Sequence, residues 1–210
     1  MLLAQALNES GEATRHVYFP TAGFISLVAQ IATHPGLEVG MVGREGMLGA
    51  QVALGVGRAP LRALVQGSGG AWRISVDDFR RTLTRSKALQ DSLNRYVYVL
   101  MTQLANGAVC QRFHQVGERL ARWLLMSQDR AHSDSFFVTH EFLALMLGVR
   151  RVGITAAAGT LRNGGLISYR RGAVTVLNRS GLESAACRCY AADRQTYMAQ
   201  LGGKVRRAAR

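Results

Sequence analysis

No stretch of this sequence approaches the ~18 uninterrupted apolar residues that a membrane-crossing helix requires, so no membrane partner is expected. The opening "MLLAQALNESGE" has neither a basic leader nor a long enough apolar segment for a secretory signal. Cysteine is scarce and odd in number, at Cys110, Cys187 and Cys189. That excludes a framework of paired disulfides and points to a reducing cytoplasm. Proline is limited to three residues, none beyond residue 60, while 48% of the chain is hydrophobic. This balance fits a globular protein of one or two domains rather than a disordered one.

Acidic residues are also few, 13 Asp and Glu against 26 Lys and Arg. Little material is left for paired catalytic carboxylates, and no Ser-His-Asp arrangement is legible, so no enzymatic activity is expected. "HEFLA" (140–144) begins like a zinc-protease motif but has Ala144 where the second histidine is required. Cys110, His114, Cys187 and Cys189 would meet only if the C-terminal segment folded back. One Cys-x-Cys pair is not a zinc-finger or cluster spacing, so the cysteines are read as free structural thiols and no metal or cofactor is assigned.

What is present is positive charge, and it is segregated. Residues 1–80 hold six arginines and six acids; residues 81–210 hold twenty basic and seven acidic residues and carry the whole net charge of +13. A basic half calls for a polyanion, nucleic acid first. Arginine accounts for 24 of the 26 cations, which suits forked contacts to phosphate and guanine, although genome base composition produces the same bias.

"HVYFP", "GFISLVAQI", "LEVGMVG", "LRALVQG" and "AWRISV" are short, rich in Val, Ile and aromatics, and cut by Gly or Pro. They predict a β-sandwich or an antiparallel, jelly-roll-like β-roll over residues 1–85. A long helix follows over 86–113. Leu89, Leu93, Tyr96 and Leu100 step by four and three along it, the spacing of a seam that pairs with a second copy of the chain. The same spacing also suits a helix packed on its own domain. Residues 114–182 then give a helix "VGERLARWLLMSQDRA", a short helix capped by Thr139 and ended by Gly148, a helix from "RRVGIT" to Gly164–Gly165, and a hairpin around "RRGA". That element order is a winged helix-turn-helix, making the whole an α+β chain. Residues 183–210 are read as a basic C-terminal tail ending in a disordered "KVRRAAR" that adds non-specific DNA attraction.

The arginine pair in "GVRRVGIT" is out of place on local grounds. A helix start carries unpaired N–H groups, and cations there cost a few tenths of a kcal/mol, up to ~1. Against a phosphate-lined major groove the same placement is favourable, because the start of the second helix faces the base edges and arginine forks onto guanine.

"ERLARWLL", "VTHEFLALMLGVRRVGIT" and "TLRNGGLISYRRGAVTVLNRSGLE" resemble the DNA-binding domain of the Crp/Fnr family of bacterial transcription regulators. "HVYFPTAGFISLVAQ" and "EVGMVGREGMLGAQVALG" resemble that family's cyclic-nucleotide-binding-like roll, and 86–113 its dimerisation helix. The resemblance implies a homodimer on a pseudo-palindromic operator, with RNA polymerase as a partner and a small-molecule effector as the signal. It places Arg150, Arg151, Val152 and Thr155 as base-reading residues, and Thr139, His140, Arg170 and Arg171 as phosphate contacts. Arg151 falls where the family's guanine-reading arginine stands. Val152 and Ala156 replace an acid and a second arginine of the best-known members, so their operator does not carry over. In the roll, Arg44, Glu45, Arg58 and Arg62 are the candidate effector residues. The Arg-Ser/Thr-Ala run that holds cyclic nucleotides is missing, so a cyclic nucleotide is not expected. The chain also begins late relative to the family, from a misplaced start or an incomplete roll with an uncovered edge. The alternative reading is a small-ligand or cyclic-nucleotide sensor that docks on an acidic protein.

Overall fold

The computed structural model describes residues 1–31, 34–170 and 172–202. Arg171 and the "KVRRAAR" end therefore lie outside the described residues.

The five short apolar runs cut by Gly or Pro become strands. The strands are β1 (Ala6–Asn8), β2 (His16–Pro20), β3 (Phe24–Ile31), β4 (His34–Val42), β5 (Arg62–Gly67) and β6 (Ala71–Ser75). They form one antiparallel sheet in the order β1-β5-β3-β4 and a second pair β2-β6. The short β1, absent from the sequence reading, covers the β5 edge; the helix His140–Leu147 of the C-terminal half packs against β4 on the opposite edge. Ile25, Val42 and Ala63 are buried in the roll, and each fully buried large aliphatic side chain contributes roughly 1.5–3 kcal/mol.

The chain turns helical at Ser75, whose hydroxyl accepts from the Asp78 N–H at 3.2 Å to cap α1 (Val76–Arg85). Ser86 breaks the helix and caps the next, α2 (Lys87–Phe113), at the expected boundary. The expected pairing seam is corrected. Leu93 and Tyr96 are buried with Val17, Met47 and Phe79 of the same chain, and Leu89 and Leu100 pack against that cluster. Gly46 makes this possible, since a Cβ there would overlap the Tyr96 ring. A heptad step reports only that one helix face is covered, and here the roll covers it. The apolar residues of α2 left open are Tyr98, Met101, Leu104, Val109 and Phe113.

The remaining elements are α3 (Val116–Ala131), β7 (Ser135–Phe137), α4 (His140–Leu147), α5 (Arg151–Asn163), β8 (Ile167–Arg170), β9 (Ala173–Val176), α6 (Arg179–Ala185) and α7 (Cys189–Gln200). A small sheet β7-β9-β8 forms the wing. Leu120, Leu124, Leu143, Ile154 and Ile167 fill this head, and Phe24 and Met41 of the roll enter the same core. Polar bonds cross the seam as well. Trp123 donates to Glu38 at 2.8 Å, and Arg130 pairs with Glu45 at 2.8 Å.

The expected tail over 183–210 is corrected for its described residues, 183–202. Residues 189–200 form α7, which packs on α2 and α3. Asp193 is buried there, accepting from Asn106 at 2.7 Å and from Arg122 at 2.6 Å. That anchored carboxylate turns a segment of ordinary composition into a docked helix.

Candidate nucleic-acid interface

Thr139 is the N-cap of α4, its hydroxyl accepting from the Phe142 N–H at 3.1 Å, with Glu141 in the first turn. Gly148 ends the helix in the left-handed region, φ +60°, a conformation that other residues adopt only with strain. Three residues later α5 begins, and the two helices meet at 109°, within the range of helix-turn-helix units. Ile154, Ala157, Ala158 and Leu161 form the inner face of α5. The alanines allow close packing on α3.

Arg150 is the N-cap of α5 and contributes no side-chain cap; Arg151 is its first residue. Arg150, Arg151, Val152 and Thr155 are all exposed. Among the described residues neither arginine is in an ion pair, and Glu141 is the sole acid in the first turn of either helix. Among the described residues, then, no acid neutralises the cations at this helix start. Arg162 is exposed on the same stripe of α5, eleven residues after Arg151, and was missed in the sequence. Its helical spacing from Arg151 and Thr155 was the available signal.

His140 is placed differently from the expectation. Its Nδ1 is 3.0 Å from the Thr155 hydroxyl, which itself donates to the Arg151 carbonyl at 3.1 Å. Its ring lies 4.4 Å from that of Tyr169. Burial, and next the Arg151 charge, push the imidazole below its usual range. His140 is a strut between α4, α5 and the wing. In the wing itself, Tyr169 donates its hydroxyl to the Val138 carbonyl, and Arg170 is exposed at the end of β8.

The four candidate effector residues do not converge. Arg58 donates to the Gly11 carbonyl at 2.7 Å, and Arg62 pairs with Glu9 at 3.2 Å. Glu45 holds Arg130 of the head, while Arg44 lines a cavity of about 450 Å³ between the roll, α3 and α7. A second cavity of about 190 Å³, between the roll and α2, is lined by Leu27, Val39, Met47 and Leu100 and by no Arg or Lys among the described residues. Glu38, at the seam, is raised to about 7 by burial, opposed by hydrogen bonds from Ser26 and Trp123.

The fold does bring the cysteines together. One ligand atom from each of Cys110, His114, Cys187 and Cys189 lies within 4.8 Å of the others. The Cys187 thiol is pulled down to about 6, first by its hydrogen bond from Cys110.

Residues 118–185 match the family model of the Crp-like helix-turn-helix domain. Many solved structures share the fold, among them these three. FixK2 from Bradyrhizobium japonicum aligns with a TM-score of 0.74 at 12% identity, over 88% of this chain and 94% of that one. A CRP-family transcriptional regulator from Thermus thermophilus aligns at 0.66 and 19% identity, over 89% and 95%. The c-di-GMP-responsive global regulator CLP of Xanthomonas campestris aligns at 0.60 and 17%, over 84% and 91%. Among curated proteins none matches the sequence.

Proposed function

We propose that the protein is a sequence-specific DNA-binding transcription regulator of the Crp/Fnr type, acting in the cytoplasm as a homodimer. The observation that carries this reading is the pair Arg150 and Arg151, exposed at the start of α5 and without ion partners among the described residues. Arg150, Arg151, Val152, Thr155 and Arg162 form the base-facing stripe, while Thr139, Arg170 and Arg171 grip phosphate. His140 supports the stripe from within.

The open stripe Tyr98, Met101, Leu104 and Val109 is the face that a second copy covers, replacing the seam first expected. Two-fold symmetry then sets the recognition helices about one DNA turn apart on a pseudo-palindrome. A signal acts by loosening or tightening the Glu38–Trp123 and Glu45–Arg130 bonds between roll and head. The cavity beside Arg44 and Arg130 is where an effector reaches both, and RNA polymerase is the downstream partner.

The test is selection of bound duplexes from a random-sequence pool, followed by titration at several salt concentrations. A docking module for acidic proteins would enrich no sequence.

A further inference from the structure

Cys110 lies one turn before His114 at the end of α2, so both present to the same side; Cys187 and Cys189 flank the start of α7. The Cys110 and Cys187 sulfurs are 3.5 Å apart, and the Cys189 sulfur is 3.6 Å from His114 Nδ1. Tetrahedral zinc, with bonds near 2.3 Å to sulfur and 2.0–2.1 Å to nitrogen, separates its ligand atoms by about 3.5–3.8 Å. The three cysteines are 3%, 4% and 8% exposed and form a buried cluster of their own.

The surrounding charge supplies an independent argument. Arg119 is buried, donating to the Leu147 carbonyl and the Gln111 amide, with no carboxylate partner among the described residues. An unmatched buried guanidinium is costly. Three thiolates and one imidazole around a divalent zinc carry a net single negative charge, which would offset it. Arg122, also beside the cluster, is already matched by Asp193.

We propose that Cys110, His114, Cys187 and Cys189 bind one zinc(II) per chain in a closed tetrahedral site. Each thiol loses its proton to solvent as its sulfur bonds the metal, and neutral His114 donates a lone pair from Nδ1. Nothing is oxidised or reduced, and up to three protons are released. Four protein ligands leave no open position, so the site is structural rather than catalytic. It pins α7 to the end of α2, beside the break at His114–Gln115 where the head joins. The proposal does not depend on the DNA reading.

The test is elemental analysis of the untagged full chain, purified under reducing conditions from zinc-supplemented cells. About one zinc per chain should survive gel filtration. Cobalt(II) exchange should give the visible absorption of a tetrahedral thiolate site. Cys187→Ser with Cys189→Ser should lower retained zinc at least about tenfold and abolish the cobalt bands. Should that variant misfold, the wild-type chain still decides: modifying its thiols must release one zinc and lower the thermal midpoint. Zinc below about a tenth per chain with three freely titrating thiols would overturn the proposal, as would iron with sulfide, a Cys110–Cys187 disulfide, or zinc that survives the double substitution.

Discussion

Trp123 on α3 donates its indole N–H to the Glu38 carboxylate on β4 at 2.8 Å, and this bond joins the head to the roll. Burial raises Glu38 from 4.5 to about 7, so the folded chain keeps a proton that the unfolded chain releases. The stability from that proton is complete below about 4.5 and is lost as pH rises through about 7. Comparing thermal midpoints from pH 5 to 7.5, Glu38→Gln should remove part of the wild-type decline. At the upper end its midpoint should lie a few degrees higher, at roughly 2–4 °C per kcal/mol. Parallel curves for the two proteins would show that Glu38 titrates normally.

Glu45 lines the cavity beside Arg44 and also neutralises Arg130, whose side chain is 9% exposed. Removing one member of such a pair leaves an uncompensated buried charge. Glu45→Ala should therefore lower unfolding stability by about 2–4 kcal/mol in urea titration. A change below about 0.5 kcal/mol would mean that the pair contributes nothing to holding roll and head together.

The two faces of α2 separate assembly from folding. Met101→Asp places a charge on the open stripe and should shift sedimentation from dimer to monomer without loss of helix. Leu93→Ala, in the roll core, should cost about 2–5 kcal/mol of stability and leave the assembly of the folded fraction unchanged. The reverse pattern would restore the seam first read from the sequence.

Much of this was legible because it is local. Thr139, Gly148 and Ser86 announce helix ends through their own backbone chemistry, and the strands are bounded by their own glycines. What was missed is long-range. Leu93 and Tyr96 have the spacing of a seam whichever body covers it. Cys110 and Cys187 lie 77 residues apart, and their meeting depends on α7 folding back, which Asp193 secures through Asn106 and Arg122. Glu38 and Trp123 are 85 residues apart, and no pattern near either residue announces the other.

Arg170, at the wing, is expected to contact phosphate rather than bases. Arg170→Ala should weaken binding to all duplexes alike and reduce the slope of log affinity against log salt by about 1. A loss confined to the preferred sequence would move Arg170 among the base readers.

Sequence reading by this protein rests on the exposed guanidinium groups that open α5. The most direct test is binding of wild type and Arg151→Ala to a duplex selected from a random pool and to a scrambled duplex, at fixed salt. Arg151→Ala should lose about 1–3 kcal/mol on the selected duplex and almost nothing on the scrambled one, with discrimination relaxed at one base pair per half-site. Equal losses on both duplexes, or no enriched sequence at all, would contradict it.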